Sequence, residues 1–77
     1  MARAYLKANI EAGKEKSARD ALRKINGVKS AEFVTGSHDL VAEIEGSSYE
    51  NIASHILSEV RQVPGVSETV TDFVFGW

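Results

Sequence analysis

The stretch Val34-Thr35-Gly36-Ser37-His38-Asp39-Leu40 joins two short apolar segments and decides how the chain folds. Both flanking segments are typical of strands, so the centre is predicted to be a tight connection between neighbouring strands. Gly36 can adopt a positive φ without steric cost, and Ser37 and Asp39 can fold their side chains back onto the local backbone. A hairpin turn is therefore the simplest interpretation of the stretch.

The same stretch also favours a second interpretation, a binding loop. It exposes a hydroxyl, an imidazole, a carboxylate and backbone amides within a few residues. Binding groups are often carried by loops that a rigid sheet holds in place. The choice between a plain turn and a binding loop depends on the rest of the chain.

Hydrophobic periodicity divides the rest of the chain into strands and helices. Residues 4–10 alternate between apolar and polar positions, which predicts a strand with one apolar face. Apolar residues at three- and four-residue spacing predict two helices, the second capped by Ser47 or Ser48. The apolar stripe of that second helix consists of Ile52, Ala53, Ile56, Leu57, Val60 and Val63. The predicted order is strand 4–10, helix 14–25, strand 28–35, strand 40–45, helix 47–63 and strand 66–75.

The two halves of the chain resemble each other. Residues 23–28, with the sequence RKINGV, are matched by residues 61–66, with the sequence RQVPGV. Two βαβ units joined by a hairpin form the ferredoxin-like α+β fold, a four-stranded antiparallel sheet with two helices on one face. Right-handed crossovers place the first and third strands in the centre of that sheet.

The other face of this sheet is predicted to be bare. The central strands give it Tyr5, Lys7, Asn9, Val41, Glu43 and Glu45. We expect some of Phe33, Phe73 and Phe75 to line it too, and Lys7 to pair across strands with Glu43 or Glu45. A half-apolar open sheet on a small domain predicts a dimer surface, with a merely solvated sheet as the alternative.

Size and composition also favour association. A chain of 77 residues buries only about 60% of its unfolded surface, and without cysteine it has no disulfide or thiolate metal site to add stability. The net charge is −2 and the basic residues are scattered, which argues against direct DNA binding. There is no membrane-length apolar run and no signal peptide, so a cytoplasmic protein is expected.

Motifs for catalysis, metals and cofactors are absent from the sequence. There is no phosphate-binding glycine loop, no HExxH and no cysteine–histidine pair. His38 and His55 lie on different predicted elements, and no serine, histidine and acid are spaced as a nucleophilic unit. Central-strand aromatics for stacking RNA bases are limited to Tyr5. We therefore predict no catalytic residue, no metal and no cofactor.

Several short motifs, in their order and spacing, resemble the Lrp/AsnC family of feast-or-famine transcription regulators. The resemblance is to their C-terminal effector domain, the RAM module, and it covers nearly the whole chain. The motifs are residues 5–10 followed by EAGK (11–14), INGV (25–28), VTGSHDLV (34–41), VPGV (63–66) and TVT (69–71).

This resemblance implies a mode of assembly and a ligand site. Subunits are expected to pair through their open sheet faces into an α+β barrel, and dimers to assemble into octamers or decamers. A small molecule, usually an amino acid, is expected between dimers beside the central turn, with Asp39 accepting a hydrogen bond from its ammonium group. The implied site consists of Thr35, Gly36, Ser37, His38 and Asp39, with Thr69 and Thr71 as candidates on the last strand.

Two departures from the family pattern qualify what the resemblance implies. The regulators carry an N-terminal helix-turn-helix domain, whereas Met1 here lies at the start of the first strand, so residues 1–77 are expected to form a single stand-alone RAM domain. DNA binding is accordingly not carried over. His38 occupies a turn position where Tyr or Phe is more usual, which leaves the ligand preference open.

Three functions follow as hypotheses. The first is a non-enzymatic, oligomeric module that senses an amino acid. The second is an assembly partner that co-oligomerises with full-length regulators and binds no ligand itself. The third is a small dimeric α+β-barrel enzyme with its pocket inside the barrel.

Overall fold

Four antiparallel strands form one sheet in the order β2-β3-β1-β4, with the helices on one face. The computed structural model describes residues 1–76. The elements are β1 (Ala2–Ile10), α1 (Glu15–Arg23), β2 (Val28–Phe33), β3 (Leu40–Gly46), α2 (residues 49–61) and β4 (Val66–Phe73). The predicted ferredoxin-like fold, with β1 and β3 in the centre, is confirmed.

Apolar and polar residues alternate along β1, and the apolar set contributes to the hydrophobic core. Ala4, Leu6 and Ala8 are fully buried and pair with Ile44, Ala42 and Leu40 of β3. Residues that face each other across two antiparallel strands share a sheet face, so all six lie beneath the helices. Each large aliphatic side chain buried there stabilises the fold by roughly 1.5–3 kcal/mol.

Two predicted strands are shorter in the structure. β2 ends at Phe33 rather than at Thr35, and β4 ends at Phe73 rather than at Phe75. Residues 35–39 form a bend. After each strand ends one further backbone bond continues its ladder, from the Val34 N–H to Asp39 O at 3.0 Å and from the Val74 N–H to Arg3 O at 2.9 Å. Apolar composition therefore extended both predicted strands two residues too far.

Ser48, not Ser47, caps α2. Its Oγ accepts a hydrogen bond from the N–H of Asn51 at 3.0 Å. Asn51 reciprocates, because its Oδ1 accepts from the N–H of Ser47 at 3.2 Å. The pair differs from a capping box, because Asn51 accepts from the residue before the cap and not from the N–H of Ser48 itself.

A π-helical segment interrupts α2 and was not predicted. The helix is α-helical over Tyr49–Asn51, π-helical over Ile52–Ile56 and α-helical again over Leu57–Arg61. The N–H of Leu57 donates to Ile52 O, the five-residue step that defines a π turn. Ile52, Ile56, Leu57 and Val60 are buried, whereas Ala53 is exposed, so its predicted place in the apolar stripe is wrong.

Phe33 and Phe73 lie on the helix side of the sheet, at its two edges. They pair with Leu40 and Ala4, whose side chains belong to the core, so neither is among the phenylalanines that line the bare face. The Arg19 guanidinium lies 4.9 Å from the Phe33 ring centroid, and the Tyr49 ring meets the Phe73 ring edge-on at 5.5 Å. Phe75 lies beyond β4 and is 75% exposed.

The bare face carries the predicted central-strand residues in regular rows. One row across the sheet is Glu32, Val41, Lys7 and Val70. Lys7 Nζ lies 3.9 Å from Asp72 Oδ2, so the predicted pairing of Lys7 with Glu43 or Glu45 is wrong. Those two glutamates have nearer partners, Arg3 at 3.4 Å and Lys29 at 3.7 Å respectively.

Among residues 1–76, no helix has the length and apolar character that crossing a membrane would require.

Candidate ligand-binding site

The turn between β2 and β3 is fixed at its base by Asp39. The Asp39 N–H donates to Ala8 O at 3.0 Å, and its carbonyl accepts from the Val34 N–H at 3.0 Å. Between these anchors, Gly36 has a φ of +117°, a backbone conformation that residues other than glycine rarely adopt. The turn is therefore held against both β1 and β2, and glycine allows its reversal.

The Asp39 carboxylate is part of this anchoring. Its Oδ2 accepts a hydrogen bond from the Ile10 N–H at 2.8 Å. The β1–β3 pairing ends at Ala8 and Leu40, so Ile10 has no backbone carbonyl opposite it on β3. The carboxylate supplies the missing acceptor through a charge-assisted bond, which ties the turn to the end of β1.

A concavity of about 370 Å³ opens between this turn and the bare face of the sheet. Its floor includes the apolar side chains of Val34 and Val41, and Lys7 lies between the floor and the turn in the central row of the sheet. Ser37 Oγ and His38 Nδ1 lie 3.1 Å apart, within hydrogen-bonding distance. The residues that line the concavity are Lys7, Val34, Thr35, Gly36, Ser37, His38 and Val41.

The structure separates the seven residues that the sequence analysis named as a site. Four of them, Thr35, Gly36, Ser37 and His38, line the concavity, whereas Asp39 does not. Thr69 and Thr71 pair with Ala8 and Leu6, so within one chain their side chains lie on the helix side of the sheet. All seven remain a predicted ligand site for the assembled protein. In a single chain, only these four line one concavity.

Three lining residues, Lys7, Val34 and Val41, were missed as site residues by the sequence analysis. The signal that would have found two of them was present in the alternation of the central strands. Lys7 and Val41 both fall on the bare face, and they pair directly in the β1–β3 register. The two-residue period of the strands, counted from the turn, therefore predicts that the side chains of Lys7 and Val41 lie next to the turn on the bare face.

A second concavity of about 390 Å³ lies beside the π segment, where His55 and Glu59 face Lys29 and Glu45 of the sheet. It is lined by Met1, Asn26, Gly27, Lys29, Glu45, Gly46, Ser47, Asn51, His55, Ile56 and Glu59, so it shares no residue with the turn concavity. Among residues 1–76, no cluster of three or more His, Asp or Glu side chains is placed to hold a metal ion.

We expect Asp39→Ala to destabilise the fold by about 1–3 kcal/mol, because it leaves the Ile10 N–H without its acceptor. Asp39→Asn retains an acceptor oxygen and should recover most of that loss. Urea unfolding of the three proteins measures both effects. Asp20→Ala, which removes an exposed carboxylate from α1, is the control and should change stability by less than about 0.5 kcal/mol. A stability for Asp39→Ala equal to that of the parent would contradict the anchoring role.

The fold and the concavity define an α+β domain built to present one hairpin turn beside an open sheet face. Comparison with known proteins gives the family. The model of the Lrp/AsnC ligand binding domain matches residues 3–76, and the chain belongs to that family.

Individual relatives agree with this assignment. The chain is 26% identical over 57 residues to an uncharacterized HTH-type transcriptional regulator of Pyrococcus abyssi, a match that covers 74% of this chain and 38% of the regulator. The chain therefore spans well under half the length of the curated relatives it matches.

Solved structures extend the agreement to three dimensions. The crystal structure of FFRP-DM1 has a TM-score of 0.90 and 27% identity, over 97% of this chain and 100% of that one. A transcriptional regulator of Neisseria meningitidis in complex with L-Met has a TM-score of 0.80 over 97% of this chain and 50% of its own. At 22% identity, the latter likeness shows a shared fold.

Proposed function

We propose that this chain is a non-enzymatic module that senses a small molecule, most simply an amino acid, and contributes to transcription regulation. The observation that carries the proposal is the concavity beside residues 35–38 in a chain of the Lrp/AsnC ligand binding domain family. The regulator from Neisseria meningitidis, which shares the fold, is in complex with L-Met. An apolar floor bordered by polar groups suits a ligand with an apolar side chain and a charged backbone.

Assembly is part of the same proposal. The bare sheet face exposes Tyr5 and Val70 at 41% and 45%, and both helices within residues 1–76 lie on the opposite face. Pairing two such faces gives an α+β barrel, and further association of dimers into octamers or decamers places the turn concavities at contacts between dimers. The module is cytoplasmic and binds neither DNA nor a membrane directly. Full-length regulators of the family are further partners.

A thermal-shift screen of the purified chain against the twenty amino acids tests this function. At ten times its Kd, a ligand stabilises the folded state by about 1.4 kcal/mol, or roughly 5–10 °C in Tm for a domain of this size. We expect at least one amino acid to produce such a rise.

A pair of double variants locates the response. Thr35→Ala with His38→Ala should lose it, because both side chains line the concavity. Ser17→Ala with His55→Ala, which removes a hydroxyl and an imidazole from exposed positions on α1 and α2, is the matched control and should retain it. If no amino acid raises the Tm of the parent chain, the sensing function is wrong.

A further inference from the structure

The connection between α1 and β2 is a turn with the sequence Asn-Gly at residues 26–27. The Val28 N–H closes it by donating to Ile25 O at 3.1 Å, and Gly27 has a φ of +104°. Within residues 1–76, the Gly27 N–H donates to no protein acceptor, and the exposed Asn26 side chain has no hydrogen-bond partner. A side-chain carbonyl carbon that water reaches and an unbonded backbone nitrogen are therefore neighbours in this turn.

The other two asparagines of the chain, Asn9 and Asn51, lie in different surroundings. Both are half-buried and both side chains are bonded, since Asn9 Nδ2 donates to Glu68 Oε1 and Asn51 Oδ1 accepts from the Ser47 N–H, each at 3.2 Å. The backbone N–H that follows each of them belongs to an isoleucine and donates to an acceptor, at 2.8 Å after Asn9 and at 3.1 Å after Asn51. Within residues 1–76, Asn26 is thus the one asparagine whose side chain and following N–H are both unbonded.

We propose that Asn26 is a site of spontaneous deamidation, which converts it to aspartate and isoaspartate as the protein ages. The Gly27 nitrogen attacks Asn26 Cγ and forms the new N–C bond of a cyclic succinimide. The side-chain nitrogen leaves as ammonia and takes with it the proton that Gly27 loses. Glycine favours this attack because no side chain crowds its nitrogen. Water then opens the ring, at Cγ to give aspartate or at the main-chain carbonyl carbon to give isoaspartate.

Isoaspartate at position 26 alters the contacts of the residue that follows it. Its main chain runs through the former side chain and is longer by one methylene group. Gly27 contacts both β3 and α2, because its carbonyl accepts the Glu45 N–H at 2.8 Å and a carbon added to its Cα would overlap Ile56. A displaced Gly27 therefore loses this hydrogen bond or overlaps the helix, and we expect the chain to lose stability as isoaspartate accumulates.

Peptide mapping of the aged full chain measures all three asparagines in one sample. Trypsin releases residues 25–29 as one peptide, and mass spectrometry after incubation in mildly alkaline buffer follows the exchange of an amide nitrogen for oxygen. We expect Asn26 to convert roughly ten- to a hundredfold faster than Asn9 or Asn51, each of which must first break two hydrogen bonds. An Asn26 that converts no faster than the other two overturns the proposal.

The same mapping in urea separates the effect of the fold from that of the neighbouring residue. Unfolding releases Asn9 and Asn51 from their hydrogen bonds and should accelerate their conversion roughly ten- to a hundredfold. Asn26 should accelerate by less than about fivefold, since only the bond that closes its turn is lost. An acceleration of Asn26 as large as that of Asn9 and Asn51 contradicts the structural argument and overturns the proposal.

The second half of the chain supplies a variant that removes the site and keeps the turn. The matching turn at residues 63–66 has the same closing bond, at 3.2 Å, and Gly65 has a φ of +99°, with Pro64 in the place of Asn26. Proline has neither a side-chain amide nor a backbone N–H, and within residues 1–76 the Asn26 N–H is unbonded. Asn26→Pro should therefore fold like the parent and show no deamidation in the peptide of residues 25–29.

Thermal unfolding before and after ageing measures the consequence for stability. Loss of about one backbone hydrogen bond should lower the Tm of the isoaspartyl fraction of the parent by roughly 4–8 °C, whereas the Tm of Asn26→Pro should not change with age. Asn26→Asp carries the charge of the other product without the longer main chain, so when freshly prepared it should keep the Tm of the fresh parent. An aged parent whose Tm is unchanged after conversion, or an equal fall of Tm in fresh Asn26→Asp, overturns the assigned effect on Gly27.

Discussion

Gly27→Ala is expected to cost about 2–5 kcal/mol of folding free energy. Gly27 has a φ of +104°, where an L side chain costs roughly 1–2 kcal/mol. A Cβ at this position would also lie 2.5 Å from Ile56 Cδ1 and 2.9 Å from Glu45 O. Relieving that overlap requires a shift of α2 or of the strand pair, and overpacking of this kind costs roughly 1–3 kcal/mol.

Gly13→Ala is the matched control for the Gly27 prediction. Gly13 has a φ of +89°, yet a Cβ there would meet no heavy atom within 4 Å, so only the backbone term of about 1–2 kcal/mol applies. Urea unfolding measures the difference between the two variants. Equal losses of folding free energy in Gly27→Ala and Gly13→Ala would show that the neighbours of Gly27 shift without cost.

A double variant identifies the contact responsible for the Gly27 effect. Ile56→Val removes Cδ1, the atom nearest to the added Cβ, at a cost of its own of about 0.5–1.5 kcal/mol. Combined with Gly27→Ala, it should cost less than the sum of the two single changes, because the 2.5 Å overlap with Cδ1 is then gone while the 2.9 Å approach to Glu45 O remains. Strict additivity would assign the loss to the backbone conformation and to Glu45 O.

The fold was predictable because its decisive patterns are local. The alternation of residues 4–10 has only one face that can be buried, and the structure buries Ala4, Leu6 and Ala8 on it. The turn at residues 35–39 follows from the same kind of local chemistry, since Gly36 adopts the positive φ that the turn requires. Local patterns thus define the elements and, through handed crossovers, their order in the sheet.

Side-chain partners were less predictable, because they depend on register. Lys7 lies on a strand flanked by both β3 and β4, and its partner Asp72 belongs to β4. That register contains an irregularity between Asn9 and Ile10, which no local pattern reveals. The bond from Ile10 to Asp39 has the same origin, because it depends on where β3 begins rather than on the turn residues.

The candidate site shows both cases. Turn chemistry favoured a binding loop in this stretch, the family resemblance named residues 35–39 as its site, and residues 35–38 line one concavity. Thr69 and Thr71 came from the family resemblance, and the pleat places them with Ala8 and Leu6 on the helix side. The π segment in α2 was beyond prediction, because apolar spacing in residues 49–61 fits an α-helix equally well.

Val70→Glu is expected to separate the proposed dimer into monomers. Val70 is 45% exposed and lies on the bare face beside Lys7. If two copies each bury the exposed 45% of this valine, its loss removes about 1.5–3 kcal/mol in total, or roughly ten- to a hundredfold in Kd. The new carboxylate would also stand between Glu68 and Asp72, which pair with Asn9 and Tyr5 on the same face of β1 and β4.

The variant should nevertheless remain folded, because Lys7 lies opposite residue 70 and provides a cross-strand partner for the new carboxylate. Light scattering at micromolar concentration should give at least two chains for the parent, with eight or ten for the proposed rings, and one chain for Val70→Glu. Ala53→Glu places the same charge on the exposed side of α2 and should leave the mass unchanged. A parent that is monomeric at these concentrations, or a variant that keeps the full mass, would show that the bare sheet face is not the surface through which subunits pair.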